Sequence, residues 1–153
     1  MVIRPEFRIA EVDWQRDRQS LSEIRRAVFV VEQGVPEELE WDGIDGQCVH
    51  VLARTVTGSP IGTGRLLPDG HIGRMAVLQD WRRHGVGSAL LETLIGIARR
   101  KLFDAVVLNA QTHATGFYAK HGFVAFGVEF LEAGIPHVAM RRELSTHPSR
   151  PLS

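Results

Sequence analysis

Apolar positions recur at Leu21, Ile24, Val28 and Val31, a helical spacing that predicts a helix over 17–33, closed by Gly34 and Pro36. Val49, Val51 and Ala53 alternate along 48–56 and predict a strand. The turn Thr57-Gly58-Ser59-Pro60 leads to a partner strand over 61–67. Pro68-Asp69-Gly70 then turns the chain into a third strand over 71–77, with Pro presetting φ and Gly accepting a positive one. A second helix is predicted over 86–101. Val86, Leu90, Leu94 and Ile97 form one apolar row of it, Leu91, Ile95 and Ala98 a second, and Arg99, Arg100 and Lys101 complement its C-terminal dipole. The apolar run 105–109 reads as a buried strand, 112–121 as a short helix capped by Gly122, and 123–126 and 137–142 as the last strands. Residues 2–9 read as a first strand despite Pro5, and 37–46 as a polar loop. The order β-α-βββ-α-β-α-ββ describes one α/β (or α+β) domain over 1–144, a mixed central sheet of about six to seven strands flanked by helices. The tail 145–153, with two prolines and little to bury, is expected to be flexible.

Composition narrows the function classes. The 153 residues suffice for one domain with a sizeable core, and 44% hydrophobic with 24% charged residues is ordinary for a globular protein. Eighteen basic and eighteen acidic residues cancel, which argues against a general nucleic-acid binder. The single cysteine, Cys48, excludes a disulfide scaffold. No apolar signal segment or membrane span is visible, and a cytoplasmic enzyme is the plain expectation.

The segment with the most chemistry is Arg82-Arg83-His84-Gly85-Val86-Gly87-Ser88, lying between a strand pattern and a helix pattern. Glycines let backbone N–H groups approach an anion, a helix start adds unpaired donors, and the arginines add charge that can pair with phosphate. A Walker A loop is excluded, because its Lys is absent. A dinucleotide fingerprint fits poorly. Leu90 stands after Gly85-Val86-Gly87-Ser88-Ala89, and Asp104 precedes the next strand instead of following it. The pattern R/Q-x-x-G-x-G/A resembles the acetyl-CoA loop of the GNAT superfamily of N-acetyltransferases. Gln111-Thr-His-Ala114-Thr-Gly-Phe117-Tyr118-Ala-Lys-His-Gly122-Phe123 is similar to a second segment of that family, with Gln111 where Asn is usual. Val28–Pro36 and Glu132–Met140 resemble its ElaA-like branch, so the likeness spans about residues 3–143.

That resemblance implies acetyl-CoA as cosubstrate and strands around Met75-Ala76-Val77 and Asn109 that splay to admit the pantetheine arm. It assigns the pyrophosphate to Arg82, Arg83, His84, Gly85, Val86, Gly87 and Ser88, and further coenzyme contacts to Gln111, Ala114, Phe117 and Tyr118. Backbone N–H groups near Met75–Val77 would polarise the thioester carbonyl, and Tyr118 would be the general acid for the leaving thiolate. The base is open among Glu32, Glu40, Asp42, Asp45, Glu129, His50, His113 and His137, with His137 slightly favoured by its place in the ElaA-like segment. Six acids and no basic residue between Glu32 and Asp45 suggest an acidic mouth for a cationic amine. No metal motif is present. The leading reading is direct attack by the amine of a small molecule or peptide in a ternary complex. A CoA-binding sensor or scaffold without turnover and a transferase of longer acyl groups stay open. No nucleic acid or membrane partner is expected, and a homodimer is allowed.

Overall fold

A computed structural model describes residues 6–144; the expected start of the first strand and the expected tail lie outside them. Among the described residues β1 (Phe7–Val12), β2 (Val49–Thr55), β3 (Pro60–Leu66) and β4 (Ile72–Val77) form one antiparallel sheet in that order, and β5 (Ala105–Gln111), β6 (Val124–Glu132) and β7 (Ile135–Glu143) form a second, ordered β5-β7-β6. The chain divides into two compact units, one ending at Leu94 and one beginning at Ile95. No described helix is long and apolar enough to cross a membrane.

In the first unit, β1 (Phe7–Val12) leads into α1 (Trp14–Arg25). Asp13 caps the helix, its carboxylate accepting from the Gln15 N–H at 2.8 Å. The helix thus begins three residues before the expected start, because Asp13 supplies a cap that the apolar row does not register. Leu21, Ile24 and Val28 pack with Leu52 and Ala76, and Val12, Trp14, Phe29 and Leu78 flank them. Residues Arg26–Glu32 continue as a π-helix, visible in the bond from Gln33 N–H to Val28 O at 3.0 Å. The wider turn rotates Val31 off the apolar row, and it is exposed where a straight helix would bury it.

Residues 37–46 are more ordered than a polar loop. They hold α2 (Glu37–Glu40) and a 3₁₀ turn from Asp45 to Gln47, with Glu40 and Asp45 buried. β2 (Val49–Thr55), β3 (Pro60–Leu66) and β4 (Ile72–Val77) form the expected meander. Between β3 and β4 the register breaks. Thr63 faces Ala76 and Arg65 faces Gly73, so Arg74 and Met75 stand opposite Gly64 alone, a β-bulge. A Cβ at Gly64 would lie 2.6 Å from Met75 Sδ and 2.9 Å from Leu94 Cδ1, so a larger residue would force those side chains to shift.

Helix α3 (Val86–Arg100) starts in the first unit and ends in the second; both of its expected apolar rows are buried. In the second unit β5 (Ala105–Gln111) pairs with β7 (Ile135–Glu143), which pairs with β6 (Val124–Glu132). The last two strands are longer than expected and meet at Ala133-Gly134, both at positive φ (52° and 77°), which suits a tight hairpin. A 3₁₀ turn over Thr112–Ala114 precedes α4 (Thr115–Lys120). Gly122, at φ 84°, ends α4: its N–H bonds to Ala119 O and the Phe123 N–H to Tyr118 O, a Schellman cap.

Candidate active site

The loop expected to hold a phosphate is shaped by backbone conformation. Arg83 (φ 66°) and Gly85 (φ 82°) are both left-handed, and a Cβ on Gly85 would meet nothing within 4 Å. At the start of α3 the Ala89 N–H donates to Gly85 O at 3.0 Å. Arg83, His84 and Gly85 are exposed, and Trp81 packs edge-on to His84. Turn, glycine and helix start suit a pyrophosphate.

Arg82, expected at the phosphate, is engaged by protein partners in this structure. Its Nη1 and Nη2 donate to the Glu32 carboxylate at 2.5 and 2.6 Å, and its Nε donates to Val77 O at 3.0 Å. These bonds hold the Glu32 pKa down and push that of Arg82 up. The guanidinium ties the π-helix and the end of β4 to the loop, and its charge is already matched.

The acidic stretch is likewise paired. Glu37 binds Arg26 at 2.6 Å, and Glu40 accepts from Arg25 Nε at 2.8 Å. Asp45 Oδ1 accepts from Arg25 Nη1 at 2.7 Å and from Arg65 Nη1 at 2.8 Å, and Asp42 takes both terminal nitrogens of Arg65. Trp41 lies against Arg25 and Arg26, with their guanidinium carbons 5.0 and 5.4 Å from the ring centroid. Arg25, Glu40, Asp45 and Arg65 are all at most 5% exposed. Of the six acids, only Glu38 has no arginine partner among these contacts, so an open acidic mouth is not what 32–45 forms. This is not legible in the linear sequence, because partners such as Arg65 and Arg82 lie far along the chain from the acids they bind.

Those pairings also remove most base candidates. Burial would raise the Asp42 and Asp45 carboxyls, but the arginines hold Asp42 at about 2 and Asp45 below its ordinary value, which makes both weak bases. Glu32 is weakened in the same direction by Arg82. His50 is 1% exposed, stacks on Trp14, and bonds through Nε2 to Asp45 O at 2.8 Å; burial lowers its pKa. His113 Nε2 is bonded to Gln111 Oε1 at 2.8 Å. Glu129 lies on the exposed β6, where the pairing with β7 is irregular between Phe126 and Phe130.

His137 has a different setting. It pairs with Gln111 across the β5–β7 ladder and is 6% exposed. Its Nδ1 lies 2.6 Å from Ile135 O. A carbonyl only accepts, so Nδ1 carries the proton and Nε2 is the basic nitrogen of the neutral ring. Glu132 Oε2 lies 3.7 Å from Nε2, and the other oxygen of that carboxylate accepts from Asn109 Nδ2 at 3.3 Å. Asn109, Gln111, Glu132 and His137 thus share one face of the second sheet. Glu132 is not among the site residues expected from sequence; it joins them because β6 extends to Glu132 and turns directly into β7.

Tyr118 packs against Phe117 (centroids 5.0 Å apart) and Phe123 (6.0 Å), and burial raises its pKa to about 12. Its proton stays in place through the neutral range. Ala114 ends the 3₁₀ turn before α4, and Phe117 is half-buried. Among the described residues no group of three or more His, Cys, Asp or Glu could hold a metal ion.

An acetyltransferase (GNAT) domain model matches residues 15–144. The chain belongs to the GNAT acetyltransferase family. It is 39% identical to YjcF of Bacillus subtilis, named an uncharacterized N-acetyltransferase, over 78% of this chain and 88% of that protein. The crystal structure of Escherichia coli ElaA matches with a TM-score of 0.78 at 30% identity, covering 90% of this chain and 100% of ElaA. An acyl-CoA N-acyltransferase from Pseudomonas aeruginosa matches with the same TM-score, 0.78, at 33% identity over 90% of this chain and 99% of its own. Membership makes this GNAT chain an acyl-CoA-dependent N-acetyltransferase acting on an amine acceptor.

Proposed function

We propose that the protein transfers the acetyl group of acetyl-CoA to a primary amine of a small molecule or peptide by direct attack in a ternary complex. The observation that supports this reading is the left-handed turn at Arg83 and Gly85 immediately before α3, a geometry suited to an anion. Val86, Gly87 and Ser88 would hold the pyrophosphate through backbone N–H groups, with Arg83 and His84 at the rim. Within the first unit, Met75, Ala76 and Val77 are the proposed thioester contacts; within the second, Asn109, Gln111, Ala114, Phe117 and Tyr118 are the coenzyme contacts that the family resemblance assigns.

In the reaction the amine nitrogen bonds to the thioester carbonyl carbon, the carbonyl oxygen becomes an oxyanion, and the C–S bond then breaks. Nε2 of His137 takes the proton that the nitrogen loses, and Glu132 stabilises the resulting imidazolium. Tyr118 is the proposed donor to the leaving sulfur. With a pKa of about 12 against about 8.5 for an ordinary thiol, complete transfer from tyrosine to thiolate is uphill. Its contribution is therefore a hydrogen bond to the sulfur as charge builds there. A covalent acetyl-enzyme has little support, because burial raises the pKa of Cys48 and keeps it a thiol.

Titration calorimetry with CoA tests the loop. Gly85→Asp places an anion in the cradle and should weaken binding. Gly85→Asn has the same shape without charge and should bind more tightly than the Asp variant. Equal affinity in wild type and both variants would remove the assignment.

A further inference from the structure

The buried ionic cluster has a mechanical consequence on β4. Arg74 sits in the bulge with φ 49°, a left-handed conformation that a non-glycine residue adopts at a cost. Its guanidinium reaches back over the first unit to the 39–42 segment. Nη2 donates to Glu40 O at 3.1 Å and contacts Asp42 Oδ2 at 3.4 Å. Nε lies 3.0 Å from Glu40 Oε2, an ion-pair contact at an angle unsuited to a hydrogen bond. Glu40 is fixed in turn by Arg25 and Asp42 by Arg65, both buried. On the other side of the strand, Met75 fills the space that Gly64 leaves. The bulge is therefore clamped from both sides, and its extra residue takes a peptide unit out of regular pairing with β3.

We propose that Arg74, anchored by Glu40 and Asp42, is the positioning residue that holds the β4 bulge open so that its backbone N–H groups face the thioester oxygen. The inference rests on the reading that the Met75–Val77 backbone receives that oxygen. It gives the 37–45 segment a catalytic purpose different from attracting a cationic amine: the acids are the far end of a strut. An oxyanion donor acts only in the transition state, so loosening the strut should lower kcat and leave ground-state binding of the coenzyme nearly untouched.

The variant of choice is Arg74→Gly. Glycine adopts the left-handed conformation without strain, so the anchor is lost without adding backbone strain. Removing one oxyanion donor outright costs about a hundredfold or more in kcat; a donor left in place but mobile should cost about tenfold. The expected result is a kcat about tenfold lower with KM for acetyl-CoA within about threefold of wild type. Arg74→Lys, which keeps one cation beside Glu40, should recover part of the rate. A wild-type kcat in Arg74→Gly overturns the proposal, as does a raised KM for acetyl-CoA at unchanged kcat. If the wild-type protein itself releases no thiol with any amine, the underlying acetyl-transfer reading fails instead. The two failures are thus separable.

Discussion

The ionic cluster invites a stability test with a large expected effect. Arg25, Arg65 and Arg74 face Glu40, Asp42 and Asp45, so the charges cancel. Asp45 Oδ1 serves two guanidinium groups at once, at 2.7 and 2.8 Å, and those arginines are 1% and 3% exposed. Asp45→Asn preserves the shape and removes the charge, leaving one net positive charge buried. Breaking a buried pair from one side costs about 3–5 kcal/mol, a large part of a total of about 5–15 kcal/mol. At about 2–4 °C per kcal/mol for a chain near this size, Tm should fall by about 6–20 °C at neutral pH. Differential scanning calorimetry measures it, with Glu37→Gln as the surface control, whose Tm should stay close to wild type because that pair is half exposed. The pH dependence follows from the sign of the shifts. Asp42 and Asp45 have depressed folded-state pKa values, so their stabilisation is present above the ordinary carboxylate range near 4 and is lost as pH falls toward 2. Wild type and Asp45→Asn should converge over that window. An Asp45→Asn variant that melts with the Glu37→Gln control would refute the assignment of the cluster as a neutral, fully coupled unit.

Three further outcomes are expected. Tyr118→Phe should lower kcat without weakening CoA affinity, by at most about a hundredfold since only a hydrogen bond is lost; unchanged turnover in steady-state assays would remove Tyr118 from the chemistry. His137→Gln should lower kcat by about a hundredfold or more while CoA affinity stays near wild type, whereas wild-type turnover would point to another base. If Arg82 is a tie and not a phosphate ligand, Arg82→Ala and Glu32→Ala should weaken CoA binding in the same direction, each about two- to fivefold as for exposed pairs, and the double variant should be no worse than either single one. Opposite signs, with Glu32→Ala binding CoA more tightly, would show that the carboxylate competes with phosphate for Arg82.

Local signals made most of the fold legible. The two apolar rows of α3, the Pro68-Asp69-Gly70 turn and the Gly122 cap each act within a few residues, and the observed elements follow them. The misreadings have a different character. The π-helix after Arg25 leaves the apolar spacing through Val28 intact and shows itself only in the exposure of Val31. The hairpin of β6 and β7 was cut short because Ala133-Gly134 was not read as a turn. The left-handed turn at Gly85 and the aromatic pair in α4 are legible because each is written in consecutive residues. The ion pairs were invisible, since Glu32 finds Arg82 and Asp42 finds Arg65 only after folding brings distant elements together. That is why a run of acids read as an open field turned out to be the anchor of a strand.

The measurement that tests the central claim most directly is simultaneous detection of free thiol and N-acetylated product from acetyl-CoA with a panel of primary amines. The account predicts thiol release that depends on the amine, matches the acetylated product one for one, and falls in both Tyr118→Phe and His137→Gln while CoA still binds. Saturable CoA binding with no amine-dependent thiol release across the panel would contradict it.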